Sequence, residues 1–104
     1  MELRYKAEFK ELPWERPAEG VRHKCVERDG VRIRLVEYTK EMSRHWCERG
    51  HYGYVIEGRL EIEYENGNVT YDPGDCICIP NGPAHKHRGR VLSGKATVFF
   101  VETT

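Results

Sequence analysis

The alternation of apolar and charged residues with a period of two is the feature that most constrains this chain. In the stretch LEIEYENGNVTY, Leu60, Ile62 and Tyr64 alternate with glutamates, and Asn66-Gly67 follows at once. Side chains two apart on a strand share a face, and Asn-Gly accepts the positive φ angles of a tight turn. The sequence therefore predicts a β-hairpin in which NVTY returns antiparallel to LEIEYE.

Further short runs of this kind follow one another along the chain, separated by Gly and Pro. VRIRL predicts a strand with Val31, Ile33 and Leu35 on its buried face and the two intervening arginines on the other. Strands are also predicted at residues 52–57, in CICIP and in ATVFFVE, whereas no run has helical periodicity. The pattern favours an all-β fold, most simply a small jelly roll.

The chain of 104 residues has room for one domain with one hydrophobic core. Pro13, Trp14 and Pro17 lie among charged residues near the N-terminus, and each proline lacks a backbone donor. Residues 1–20 are therefore predicted to form an extended arm, and residues 21–104 the β-barrel domain.

Charge and hydropathy exclude several classes of protein. Seventeen basic residues balance seventeen acidic ones, so no net field favours nucleic acid or an anionic membrane as a partner. No apolar run approaches the roughly 20 residues that span a bilayer, and the N-terminal sequence lacks the apolar core of a signal peptide. We therefore expect a cytoplasmic protein without nucleic-acid or membrane partners, whose cysteines are thiols.

The stretch GDCICIPNGPAHKHRG carries a spacing that is specific to one family. Gly74, Pro80, Gly82 and His85 resemble the second motif of the cupin family at each of these positions. Only the terminal Asn of that motif differs, because Gly89 lies there. Most of these positions concern turns, so the resemblance implies the family's fold, a double-stranded β-helix or jelly-roll barrel, more strongly than any chemistry.

The stretch SRHWCERGHYGYVIEG is similar to the first cupin motif, which has the form Gly, five residues, His-x-His, three or four residues, Glu, six residues and Gly. His45 and Gly58 match this pattern. Thr39 replaces the first Gly, Cys47 the second His, and His51 the Glu. The two motifs together cover about half of the chain.

The resemblance implies that these side chains bind a divalent transition metal inside the barrel. The family's ligand positions correspond to His45, His51 and His85, with Cys47 where a histidine normally lies. Imidazole suits zinc, iron, nickel and copper, whereas a thiolate favours zinc or copper. Cys47 as a thiolate would close a four-ligand site, and as a thiol it would leave positions open for substrate, water or oxygen. The sequence leaves both states open.

Other residues near the motifs have two interpretations. His87 has the same parity as His85 and could replace it, although the basic residues around it indicate a solvated loop. Tyr52, Tyr54 and Glu63 are candidates for lining the pocket and transferring protons. Otherwise the two tyrosines pack against neighbours and the glutamate faces solvent.

The remaining cysteines and the remaining histidine lie outside the motif positions that bind metal. Cys76 and Cys78 are poor disulfide partners because they lie two apart on one strand; they are interpreted as small buried apolar residues, with metal binding as the alternative. His23 and Cys25 have no counterpart in either motif and are interpreted as structural or surface residues.

The resemblance also implies a function and an assembly. We expect a metal-dependent enzyme, dioxygenase-like or using Lewis-acid chemistry, that acts on a small anionic chelating substrate. Because His51 replaces the Glu ligand, sugar-phosphate isomerisation and oxalate degradation are less expected. The alternatives are a non-catalytic metal- or ligand-binding sensor in which Cys47 closes the coordination sphere, and a structural cupin with a filled pocket. A homodimer in which the N-terminal arm packs on the partner is expected.

Overall fold

The computed structural model describes residues 5–104, which form nine β-strands and two 3-10 turns, Phe9–Glu11 and Pro83–His85. Residues 1–4 of the predicted arm lie outside the described residues, and no helix within residues 5–104 is long and apolar enough to cross a membrane. The strands are β1 (Glu15–Ala18), β2 (Val21–Arg28), β3 (Val31–Thr39), β4 (His51–Glu57), β5 (Leu60–Tyr64), β6 (Gly67–Tyr71), β7 (Cys76–Ile79), β8 (His87–Val91) and β9 (Lys95–Thr103).

The strands form two antiparallel sheets, one of six strands in the order β1-β2-β3-β9-β4-β7 and one of three in the order β6-β5-β8. This arrangement confirms the predicted all-β jelly-roll architecture. Within residues 5–104 the strands form two sheets rather than one continuously hydrogen-bonded cylinder. The core contains buried residues of both sheets: Val36, Val55, Ile77, Ile79, Ala96, Val98 and Phe100 of the larger, and Leu60, Ile62 and Val91 of the smaller.

The predicted hairpin is confirmed in its register. β5 pairs with β6 from Leu60 opposite Tyr71 to Tyr64 opposite Gly67, so the turn falls at Asn66-Gly67. Leu60 and Ile62 are buried, and the Tyr64 and Tyr71 hydroxyls lie 2.6 Å apart. The period-two pattern therefore predicted which side chains of this hairpin face the core.

β3 presents to the core the face opposite to the one predicted. Val31 is 43% exposed, whereas Arg34 lies directly across from buried Phe100 and shares its face. The reason is Glu102, which is also buried on β9 and pairs with the guanidinium groups of Arg32 (2.9 Å) and Arg34 (2.7 Å). A buried carboxylate is costly unless it is paired, so the arginines of VRIRL face inward and its aliphatic residues face outward.

Part of the segment predicted as an extended arm packs on its own chain. β1 joins the edge of the larger sheet beside β2. Before it, the Phe9 ring lies 6.0 Å from that of Phe99, and Lys24 Nζ donates to the Phe9 carbonyl over 2.8 Å. The Trp14 ring lies under the Arg22 guanidinium at 4.1 Å. This segment therefore covers part of the outer face of the larger sheet.

The close approach of Gly58 to β9 gives a test of the fold. Gly58 has a φ of +81°, and a Cβ there would lie 2.0 Å from the Lys95 carbonyl oxygen. We expect Gly58→Ala to lower the free energy of unfolding by about 2 kcal/mol or more, because it combines left-handed strain with a backbone clash. Gly94→Ala, which meets nothing within 4 Å, should change it by less than about 0.5 kcal/mol. Urea unfolding measures both, and equal stabilities would contradict this packing.

Candidate metal centre

Cys47, His51 and His87 come together between the two sheets. One ligand atom from each of the three lies within 4.8 Å of the other two. His51 begins β4, His87 begins β8, and Cys47 lies in the connection between β3 and β4. A zinc ion about 2.0–2.3 Å from each donor holds the donors roughly 3–4 Å apart, so small side-chain rotations suffice for a common ion.

Main-chain hydrogen bonds place two of these residues side by side. Cys47 N donates to the His87 carbonyl over 2.8 Å, and His87 N donates to the Cys47 carbonyl over 2.9 Å. This isolated antiparallel bridge joins the connection before β4 to the first residue of β8. The sulfur and the imidazole are therefore neighbours through backbone geometry, independently of any ion.

The predicted solvated basic loop around His87 is wrong, because residues 87–91 form β8 and pair with β5. His87 and Val91 are buried in this strand, whereas Arg90 between them is exposed and pairs with Glu61 over 2.9 Å. The alternation of HRGRV was the signal in the sequence for a strand with one buried face. It places His87 on the inner face, beside Cys47 and His51.

The His87 ring has one nitrogen bonded and one nitrogen free. Its Nδ1 lies 3.0 Å from the carbonyl oxygen of His85, which only accepts, so Nδ1 carries the proton and Nε2 the lone pair. Nε2 is buried and has no hydrogen-bond partner among the described residues. Burial lowers the pKa of His87, the carbonyl of His85 opposes this, and His51 adds to it. His87 is therefore neutral at neutral pH, and the lone pair of its Nε2 is unused.

His51 is held by the same kind of interaction. Its Nδ1 donates to a carboxylate oxygen of Glu102, which leaves Nε2 as the free ligand atom. The His51 ring also packs against Phe100, with ring centroids 4.9 Å apart, and lies edge-on to His87 at 5.4 Å. A carboxylate behind a histidine in this way fixes its tautomer and the orientation of its ring.

Glu102 stays ionised although it is buried. Burial alone would raise its pKa, but hydrogen bonds from His51 and Arg34, with the charge of Arg34, lower the pKa to about 2. Only 3% of its side chain is exposed. Sequence analysis missed this residue, although the alternation of ATVFFVE places Glu102 on the same face as the buried Val98 and Phe100.

The structure separates the two other predicted histidine ligands from the cluster. His45 is exposed and lines the adjoining cavity, but it does not belong to the group of three. His85 is exposed at the end of the 3-10 turn Pro83–His85, and it supplies its carbonyl to His87 instead of its ring. The structure therefore brings His87, rather than His85, close to Cys47 and His51.

The candidates for proton transfer lie elsewhere. Tyr52 and Tyr54 are about half exposed on the outer face of the larger sheet, opposite Cys78 and Cys76 of β7. Glu63 points away from the core and pairs with Arg88 over 2.9 Å. None of the three lines the cavity beside the metal centre.

The other cysteine predictions have mixed outcomes. Cys76 and Cys78 are exposed, so the prediction that they are buried is wrong. The inward positions of β7 are taken instead by Ile77 and Ile79. Cys25 is half-buried and lies opposite Arg34, and the ring of His23 lies 3.3 Å from a guanidinium nitrogen of Arg34.

A cavity of about 280 Å³ adjoins the three ligand residues. Its wall is largely apolar, and it includes residues 17–19 in and just after β1. The polar side chains that reach it, apart from the three ligand residues, are those of Glu19, Arg34, Tyr38, Ser43, His45 and Arg88. Burial raises the pKa of Tyr38 to about 12, so its hydroxyl remains a hydrogen-bond donor.

Comparison with known protein families identifies the class to which this protein belongs, the cupins. The model of the cupin domain matches residues 32–102, so the chain belongs to this family. Among curated proteins no significant match is found.

Solved structures with the same fold include an RmlC-like cupin from Shewanella frigidimarina, at 12% identity and a TM-score of 0.76, covering 97% of this chain and 91% of that one. KdgF from a Halomonas species is 22% identical, with a TM-score of 0.68 and 91% of each chain covered. FeII HppE is 14% identical, with a TM-score of 0.74, and the match covers 92% of this chain and 58% of that one.

The charge of Glu102 gives a pH-dependent prediction. The pKa of Glu102 is about 2 in the folded state and about 4.3 in the unfolded state. The ionised carboxylate therefore stabilises the fold fully above about pH 4.3, and this stabilisation is lost as the pH falls toward 2. We expect Glu102→Gln to be less stable than the wild type by about 3 kcal/mol near neutral pH, with a gap that narrows between about pH 5 and 2. Urea unfolding across this range measures the gap.

Glu65 supplies the matched control, because it pairs with Lys86 at the surface and its side chain is 59% exposed. Glu65→Gln should cost less than about 1 kcal/mol at any pH. A Glu102→Gln gap that does not change with pH would contradict the proposed ionisation.

Proposed function

We propose that this cupin binds a divalent transition metal through Cys47, His51 and His87 and uses it as an enzyme acting on a small anionic molecule. The observation that carries the proposal is the buried lone pair of His87 Nε2, which has no partner among the described residues. A buried acceptor without a partner costs about 1–3 kcal/mol, and a metal ion beside Cys47 and His51 would remove that cost. The FeII form of HppE supports the proposal, because it has this fold and contains a metal.

The residues around the centre have separate roles in this proposal. Glu102 and the carbonyl of His85 fix the Nδ1 atoms of the two imidazoles, so their Nε2 atoms would be the ones available to a metal ion. The ion supplies Lewis-acid or redox chemistry to a bound carboxylate or carbonyl group. Tyr38, whose hydroxyl stays protonated, is a hydrogen-bond donor in the wall of the cavity.

The number of ligands favours an enzyme over a closed sensor site. Among the described residues the cluster contains three side chains, whereas a closed structural site commonly has four. Its members also line the cavity, where a small molecule would reach a remaining coordination position. The donor set of two imidazoles and one sulfur is compatible with zinc, iron, nickel and copper, with zinc and copper favoured if Cys47 binds as a thiolate.

The two neighbouring histidines His85 and His87 provide a matched test. We expect His87→Ala to lose most of the bound metal, and His51→Ala likewise, because each removes one of three ligands. His85→Ala should keep its metal, since the contact of His85 with His87 is made by the main chain. Elemental analysis of each purified variant measures the metal per chain. If His87→Ala retains its metal and His85→Ala loses it, the ligand is His85, at the motif position, and the proposed role of His87 is wrong.

Cys47 is tested with cobalt as a spectroscopic probe. We expect the cobalt-loaded wild type to show a sulfur-to-cobalt charge-transfer band in the near ultraviolet, and Cys47→Ser to lack it. Cys25→Ser should leave the band unchanged, because Cys25 lies outside the cluster. A band that persists in Cys47→Ser would remove this thiolate from the coordination sphere. A wild type that binds cobalt but lacks the band would have a site with histidine ligands only.

We also propose that the chain forms a homodimer through the outer face of the larger sheet. Tyr52, Tyr54, Ile56 and Val101 lie there on β4 and β9, and each is 42–54% exposed. Their neighbours Cys76 and Cys78 extend the same surface. A contiguous exposed apolar patch of this kind is typical of an interface.

If this surface forms the dimer interface, a charged substitution in it should lower the molecular mass measured in solution. Tyr54→Lys should shift the molecular mass measured by light scattering from that of a dimer toward that of a monomer, because it places a charge in the interface. Val69→Lys, which alters a residue of similar exposure on the smaller sheet, should remain dimeric. A monomeric wild type would refute the proposal.

A further inference from the structure

Arg34 lines the cavity and carries one buried hydrogen-bond donor without a partner among the described residues. One of its terminal nitrogens donates to Glu102 over 2.7 Å, and the other lies 3.3 Å from Nδ1 of His23. Its Nε is buried and has no hydrogen-bond partner among the described residues. Only 12% of this side chain is exposed. A buried donor of a charged group is costly when unpaired, so this nitrogen calls for an acceptor.

The charges around Arg34 do not balance. One carboxylate, that of Glu102, faces two guanidinium groups, those of Arg32 and Arg34, which leaves one positive charge in excess. Of the other charged side chains that line the cavity, Arg88 pairs with Glu63, and Glu19 is exposed. A metal ion with one thiolate would add to the excess. The inner part of the cavity therefore favours a ligand with a negative charge.

The rest of the wall limits what else the ligand contains. Met42, Leu60, Ile62, Ile77 and Phe100 line the cavity beside Arg34. Hydroxyl groups placed against such a surface would lose their hydrogen bonds to water without replacement. An aliphatic chain loses nothing there and gains from burial. The cavity of about 280 Å³ is slightly smaller than typical small-molecule sites, which hold about 300–1,000 Å³.

We infer that the cavity binds a small carboxylate with an aliphatic body, and that Arg34 binds the carboxylate group. The inference rests on the proposed function, because it places the ligand in the cavity of the metal centre. It adds the chemical class of the ligand and the residue that selects it.

Hexanoate and hexanamide test the inference, since they differ in charge but scarcely in shape. Calorimetry or ligand-observed NMR on the zinc-loaded protein and on the chelator-treated protein gives both affinities, with the metal content of each sample measured beforehand. We expect the wild type to bind hexanoate about tenfold more tightly than hexanamide or better in both samples. A charge-assisted hydrogen bond accounts for a ratio of this size.

Two arginine variants assign the preference to one residue. Arg34→Met should reduce the ratio to near one in the chelator-treated protein. Arg32→Met is the matched control, because Arg32 shares Glu102 with Arg34 but does not line the cavity, and it should keep the ratio. If Arg34→Met does not fold, Arg34→Lys removes Nε and the planar donor fork while keeping the charge, and it should lower the ratio at least threefold.

The outcomes separate this inference from the proposed function. If the protein binds metal as proposed but binds hexanoate and hexanamide equally well, the inference is wrong and the proposed function stands. Absence of metal, with a preference for hexanoate that depends on Arg34, overturns the metal centre and supports the inference. A preference that survives both Arg34→Met and chelation shows that another group binds the carboxylate and overturns the role of Arg34.

Discussion

The inner face of the larger sheet depends on one buried carboxylate. Glu102 on β9 accepts hydrogen bonds from Arg32 and Arg34 of β3 and from His51 of β4, so it connects three neighbouring strands. Its burial is tolerable because each oxygen has a charged or hydrogen-bonding partner. The direction in which β3 faces and the orientation of the His51 ring both follow from this cluster.

This cluster explains where period-two patterns predicted the fold and where they failed. In β5 the apolar Leu60 and Ile62 face the core, and the glutamates between them are less buried. In β3 the same kind of alternation was assigned to the wrong face, since the partner of its arginines lies nearly 70 residues away on β9. A strand with apolar residues on one side and arginines on the other has two possible orientations. Only the opposite strand decides between them.

Two of the four predicted metal ligands, Cys47 and His51, belong to the candidate centre, whereas His45 and His85 do not. The sequence indicated Cys47 and His51 and left His87 as an alternative to His85. The 3-10 turn Pro83–His85 decides between the last two, because it directs the backbone so that His87 becomes the first residue of an inward-facing strand. Spacing along the chain does not contain this information, since a single turn shifts which residue faces inward. The supporting residue Glu102 lies outside both motifs and was found from contacts alone.

The bridge between Cys47 and His87 has a consequence for how such a centre changes through evolution. Its two hydrogen bonds are made by peptide groups, which every amino acid except proline supplies. The donor atom at either position can therefore be exchanged, for example sulfur for imidazole, while the two attachment points stay where they are. If the proposed centre binds metal, single substitutions at these two positions would adapt it to different ions without remodelling of the backbone that carries them.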